Sequence, residues 1–423
     1  MLKNFLKIII YIYFFSAFAL TSAFAQSAEY DAKAQYLCAL MSMTAYNDKY
    51  GDLARNVLTS YGWDFNFLEA APVNGASKFF TAANTDFIPG ENSYLLSVRG
   101  TDDLKDVSSD MKINMVPFSG NDPSSIANGQ LPMVHSGFNR YVQAAFFTSQ
   151  NDKPSLGEKF ISILRNDPHA HLYITGHSLG GAAAILTAAK LISMGLDPSR
   201  ISVITFGAPA VGNEAFAKTY GENINLSRIV LSGDPVRNLV QVLNPNYRQF
   251  GREIKYAAPP SFDDKIRHKI LLYLDICLRE YYDKKEPAAS SSAGKIFFAK
   301  PTFNIDFNND NENIDFYIRS VLQDNISHYI KNTVWENSSV SPPAFSAIKY
   351  LVKTDITITR QKYVKNSFYV STAYTIYTAE SGRLLTSFSA ASDTVELTPI
   401  EAVLYNNISL EAELKKSLSQ ENL

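Results

Sequence analysis

The chain has 423 residues, 46% of them hydrophobic and 19% charged, with a formal net charge of -2. That length and balance exclude a wholly disordered chain and a small disulfide-stapled scaffold. The absence of a basic excess removes the electrostatic signature of a nucleic-acid binder. At the N-terminus, Lys3 and Lys7 precede an apolar run from Ile8 to Leu20, and Ala23-Phe24-Ala25 follows as a small-x-small site. A basic start, a short apolar stretch and such a site predict a secretory signal peptide over residues 1–25, cut after Ala25, and a secreted or periplasmic protein. No later stretch is long and apolar enough to predict a membrane span.

From about Tyr30 to Asp283, apolar strand-like runs alternate with helical patterns. Ser93–Val98, His171–Thr175, Ile201–Phe206 and Arg228–Leu231 read as strands; Tyr141–Phe147, Lys159–Leu164 and Ala182–Ser193 read as helices. That alternation predicts an α/β domain over 26–285, built on a mostly parallel sheet covered on both faces. The Pro/Ala/Ser-rich stretch within 286–296 reads as a linker. Residues 297–423 then read as a smaller C-terminal α+β domain. It has a helix over Ile314–Trp335, strands Asp355–Arg360 and Phe368–Tyr377, a turn at Glu380-Ser381-Gly382 into Arg383–Ser389, and a closing helix Pro399–Leu418.

The strongest local signal is Gly176-His177-Ser178-Leu179-Gly180-Gly181, between a predicted strand and an Ala-rich helix. Gly-x-Ser-x-Gly in that setting predicts a nucleophile elbow. The sharp turn lifts the serine to its tip, glycines allow backbone and helix to approach, and the helix start offers free N–H groups to a developing oxyanion. Serine is a weak nucleophile near neutral pH, so a base must take its proton and a carboxylate must orient that base.

Four more segments accompany the elbow in order: Val98-Arg99-Gly100-Thr101, Val134-His135-Ser136-Gly137-Phe138, Thr205 through Asn213 (TFGAPAVGN), and Gly233-Asp234-Pro235-Val236. With these five motifs the chain resembles the class 3 (fungal-type) lipases of the α/β-hydrolase superfamily, over roughly three fifths of its length. The resemblance implies a carboxylic ester hydrolase needing no metal or cofactor. Ser178 would be the nucleophile and Asp234 the triad acid, with Glu214 and Asp264 less well placed. Thr101 and the N–H of Leu179 would form the oxyanion hole. The substrate would be an ester or lipid, with peripheral contact at lipid interfaces.

The base is the open point. His135 belongs to a structural segment, His169 and His171 precede the elbow strand, and His177 faces away from the triad in the family. His268 follows the strand Arg248–Tyr256 and precedes a helix over Lys269–Tyr282, where this fold wants its base, so it stands first. His328, inside a predicted helix beyond the linker, stands second because some relatives carry His-x-x-Tyr late in the chain. After Thr101, Leu104, Val107 and Met111 fall on one face of a lid-like helix. Val107 stands where family lids often carry Trp, which leaves strong interfacial activation in question. Cys38 and Cys277 form either a disulfide or two buried thiols. A phospholipase, a feruloyl-type carbohydrate esterase and, from another class, an inactive binding module on the same fold all fit these motifs.

Overall fold

The computed structural model describes residues 28–46, 49–65, 68, 79–100, 114–120, 131–149, 153–258, 267–286, 295–307, 313–336, 348–364, 367–394 and 397–418. The expected signal peptide, Thr101, the lid residues Leu104, Val107 and Met111, and most of the linker lie outside these. In chain order, the first part contains α1 (28–44), α2 (Lys49–Ser60), β1 (Phe79–Asn84), β2 (Asn92–Val98), β3 (Met115–Pro117), β4 (Met133–His135), α3 (Ser136–Phe146) and α4 (Leu156–Asn166). Then come β5 (Ala170–His177), α5 (Leu179–Ser193), β6 (Ile201–Phe206), β7 (Gly212–Asn213), α6 (Glu214–Gly221), β8 (Asn225–Leu231), α7 (Leu239–Leu243), β9 (Tyr247–Arg248), β10 (Arg252–Tyr256) and α8 (Ile270–Lys284).

The main sheet has the order β1-β2-β5-β6-β8-β10. Only β1 runs antiparallel to its neighbour; the other pairs are parallel. Successive side chains of a strand point to opposite faces, and here both faces are apolar. Leu96, Val98, Leu172, Ile174, Ile201, Val203 and Leu226 pack toward α3–α6. Leu95, Tyr173, Ile204, Phe206, Ile229 and Leu231 pack toward α1 and α8. A mostly parallel sheet covered on both faces explains why the strands read as continuous apolar runs. The central helix α5 is buried on nearly every side. Its small first turn permits close docking: a Cβ on Gly181 would lie 2.7 Å from Ala208 Cβ. The strands β3, β4, β7 and β9 form a small second sheet.

The C-terminal part comprises β11 (Ile296–Phe298), β12 (Thr302–Ile305), α9 (Ile314–Tyr329), β13 (Thr333–Trp335), β14 (Tyr350–Arg360), β15 (Phe368–Thr378), β16 (Leu384–Thr394) and α10 (Pro399–Leu418). Its sheet has the order β13-β11-β14-β15-β16, with β12 also on β14. The inward residues Val352, Ile356, Ile358, Val370, Tyr374 and Ile376 share one continuous apolar cluster with α1, α8, α9 and α10. A polar chain threads that cluster. Tyr374 donates to Asn407 Oδ1 at 2.5 Å, Asn407 to Asn325 Oδ1 at 2.5 Å, and Asn325 to Ser60 Oγ at 3.1 Å. It joins β15, α10, α9 and α2, so the C-terminal part packs on the helices that cover one face of the main sheet.

Two expectations differ from the structure. The helix predicted to reach Trp335 ends at Tyr329: Asn332 has φ 61°, and the β-branched and aromatic residues Thr333–Trp335 pair with β11 instead. The single strand predicted over Arg248–Tyr256 is broken at Gly251 (φ 78°), which sends β9 to the small sheet and β10 to the main one. Of the two alternatives for Cys38 and Cys277, the structure has the second: both are buried free thiols, and burial pushes the Cys38 thiol up to about 12. No helix among the described residues is long and apolar enough to cross a membrane.

Candidate active site

The turn after β5 carries Ser178 at φ 58° and ψ -128°, a conformation uncommon for a residue with a side chain. Its N–H is held by the Phe206 carbonyl at 2.9 Å, and its own carbonyl accepts from Gly181 N at 3.0 Å. The flanking glycines are required sterically. A Cβ on Gly176 would come within 2.4 Å of the Gly180 backbone, and one on Gly180 within 2.1 Å of the Val98 carbonyl. Ser178 therefore sits where β5 delivers it, at the start of α5, with the N–H of Leu179 ahead of the helix's own hydrogen-bond ladder.

Asp234 is placed by the end of β8. The chain turns at Gly233 (φ 85°), Asp234 N bonds the Leu231 carbonyl at 3.1 Å, and the carboxylate points back over the sheet. Its Oδ1 accepts from Val236 N at 2.8 Å, and its Oδ2 accepts from the Tyr273 hydroxyl. Burial, followed by the neighbouring Asp234 carboxylate, pushes the Tyr273 hydroxyl well above the ordinary tyrosine range, which keeps it a donor.

His268 lies two residues before α8 and completes the line. Its Nδ1 is 2.8 Å from Asp234 Oδ2 and its Nε2 is 2.9 Å from Ser178 Oγ. A carboxylate can only accept, so Nδ1 carries the proton and the lone pair of Nε2 faces the serine hydroxyl. The side chain of Asp234 is fully buried and that of His268 is 10% exposed. Gly207 (φ 58°) makes room for the pair: a Cβ there would lie 2.7 Å from Asp234 Oδ2 and 3.1 Å from His268 Cε1.

The other histidines stand elsewhere. His328 is on α9, hydrogen-bonded through Nδ1 to the Asp324 carbonyl and set edge-on to Tyr61. His135 caps α3, its Nδ1 accepting from Gly137 N and Phe138 N, and burial lowers it to about 4. His171 meets Ser202 Oγ at 2.9 Å. Glu214 pairs with Arg248 at the surface, and Asp264 lies outside the described residues. His177 does not face away from the line. Its ring centre is 4.6 Å from that of His268, its Nε2 is 2.7 Å from the His268 carbonyl, and its Nδ1 is 2.6 Å from the Tyr46 hydroxyl. Tyr46, His177 as a contact of the base, and Tyr273 were not anticipated from the sequence. Tyr273 carried a weak signal, a polar-tipped side chain one turn into the helix that follows His268.

Gly100, the residue before Thr101, abuts the elbow: a Cβ on it would be 2.6 Å from the His177 carbonyl oxygen and 3.4 Å from Ser178 Cβ. Among the described residues, no group of three or more His, Cys, Asp or Glu side chains could hold a metal ion.

Residues 95–243, which carry the elbow and Asp234, match the family described as lipase (class 3). A Caenorhabditis elegans lipase is 49% identical over 94 residues, 22% of this chain and 24% of that protein. Rice phospholipase A1-II 1 (Oryza sativa) is 32% identical over 171 residues, 38% of this chain and 43% of that protein. The chain thus spans less than half the length of these relatives. Among solved structures, the Rhizomucor miehei lipase propeptide complex is 23% identical, with a TM-score of 0.39, over 53% of this chain and 67% of that one. Lipase II from Rhizopus niveus is also 23% identical, with a TM-score of 0.39, over 54% and 81%.

Proposed function

We propose that this protein is an exported serine hydrolase that cleaves carboxylic esters of lipids, acylglycerols first, through an acyl-Ser178 intermediate. The observation that carries the reading is the 2.9 Å contact between Ser178 Oγ and His268 Nε2, on a ring held from behind by Asp234. As Ser178 Oγ bonds to the ester carbonyl carbon, His268 Nε2 takes its proton. The imidazolium so formed faces the buried Asp234 carboxylate, which stabilises it. His268 then gives the proton to the departing alkoxide as the ester C–O bond breaks. Water, deprotonated by the same nitrogen, attacks the acyl-serine and releases the acid. The N–H of Leu179, at the positive end of α5, and Thr101 would hold the oxyanion; each such donor contributes about 3–4 kcal/mol to lowering the barrier. The basic, apolar and small-residue pattern of residues 1–25 supports export.

A second reading, a phospholipid ester as substrate, is favoured by the match to the rice phospholipase. Hydrolysis of tributyrin, phosphatidylcholine vesicles and a feruloylated sugar by the wild type and by Ser178→Ala separates the cases. The expected result is release of fatty acid from tributyrin faster than from the vesicles, no release of ferulate, and none of these with the alanine variant. Ferulate as the main product would move the substrate class. No turnover of any ester would overturn the enzymatic reading in favour of a binding role.

A further inference from the structure

We propose that His177 is a positioning residue for the base: its imidazole joins the Tyr46 hydroxyl to the His268 main chain and so holds His268 in reach of Ser178. The proposal rests on the hydrolase reading above and adds to it a reason why the residue before the nucleophile is a histidine. The elbow is fixed by β5, α5 and the glycines, whereas His268 sits in the turn that leads into α8, outside any strand or helix. Lys269, at the N-cap of α8, makes no side-chain capping bond. Among the described residues, Arg267 Nη1 donates to the Ser232 carbonyl at 2.6 Å and His177 Nε2 donates to the His268 carbonyl at 2.7 Å.

The chemistry of the link selects one form of His177. A carbonyl only accepts, so Nε2 carries the proton, and Nδ1 is then the acceptor for the Tyr46 O–H. Full burial, followed by the nearness of His268, keeps the His177 imidazole well below the ordinary histidine range, with Lys269 acting in the same sense. The groups facing it are Tyr46 from the end of α1, His268 and Lys269 from the turn before α8, and Tyr273 from α8, at 5.9 Å between ring centres. A neutral ring at this place does not repel the imidazolium that forms on His268 during turnover, whereas a charged one would. Tyr46 is itself seated firmly: a Cβ on Gly51 would lie 2.0 Å from its carbonyl oxygen, so α2 packs directly against that turn.

The test compares His177→Gln, His177→Leu and Tyr46→Phe in the full chain, measuring kcat and KM for a short-chain nitrophenyl ester, with melting temperature as the check on folding. Glutamine can still donate to the His268 carbonyl and accept from Tyr46, whereas leucine can do neither. Misplacing a reacting group by about 1 Å costs about a hundredfold in rate. His177→Leu is therefore expected to lower kcat about a hundredfold with KM little changed, His177→Gln to stay within about tenfold of wild type, and Tyr46→Phe to fall between. Leucine and glutamine variants with equal kcat, or a leucine variant within twofold of wild type, would overturn the proposal. If the leucine variant fails to fold, Tyr46→Phe decides: kcat unchanged from wild type contradicts the link. An inactive wild type would instead sink the hydrolase reading on which the proposal stands.

Discussion

His268→Ala is expected to lower kcat/KM for ester hydrolysis by about 10⁴- to 10⁶-fold, while His328→Ala leaves it unchanged. Removing the base from a serine–histidine unit leaves only oxyanion stabilisation and binding, hence that range. His268 Nε2 is the nitrogen 2.9 Å from Ser178 Oγ, and its ring is backed by a fully buried carboxylate. His328 occupies the last turn of α9, where its Nδ1 is committed to the Asp324 carbonyl. Steady-state kinetics on one soluble ester, with both variants purified in parallel, checks this. An active His268→Ala, or an inactive but folded His328→Ala, would reassign the base.

The second large effect is expected from Asp234→Asn, a loss of about 10⁴-fold in kcat with the fold retained. The partners of the two carboxylate oxygens decide which way the amide lies. Oδ1 faces the Val236 N–H at 2.8 Å, which must donate, so an amide nitrogen there would meet another donor. The nitrogen therefore takes the place of Oδ2, 2.8 Å from His268 Nδ1 and beside the Tyr273 hydroxyl, which can turn to accept. The amide then donates to Nδ1, the proton of His268 moves to Nε2, and the ring presents a donor to Ser178 where a base is needed. A kcat within tenfold of wild type would show that Asp234 does not set the tautomer.

Much of this site was legible in the sequence because its chemistry is local. Gly176 through Gly181 encode a strand-to-helix turn whose steric demands fall on neighbouring residues, and Asp234 announces itself as an acid in a Gly-Asp-Pro turn at the end of an apolar strand. His268 could be ranked above His328 from its place between the last strand and a helix. What the sequence concealed is the support around the base. His177, Tyr46 and Tyr273 come from three distant segments, and no periodicity reports that their polar tips converge; His177 was in fact assigned the wrong direction. Gly207 is similar, since only the folded chain shows that its missing side chain is where the Asp234–His268 pair sits.

The fold divides along the same line. Strands buried on both faces of the parallel sheet read directly as apolar runs, and α5 as a run of small residues. The helix predicted through Trp335 failed because Ile330, Val334 and Trp335 sit at spacings that suit a helix, while Thr333, Val334 and Trp335 suit a strand equally well. Pairing with β11, sequence-remote from β13, decides in favour of a strand. The attachment of the C-terminal part was equally hidden: Asn325 and Asn407 look like ordinary polar residues of two helices until both are found buried in one hydrogen-bonded chain.

The account turns on whether Ser178 is an activated nucleophile. Incubation with a fluorophosphonate ester, followed by peptide mass spectrometry, measures this without choosing a substrate. The account predicts one phosphonate adduct per chain, on Ser178, formed rapidly by the wild type and at least about a thousandfold more slowly by His268→Ala. A wild-type protein that stays unmodified, or an adduct confined to a different residue, would contradict it.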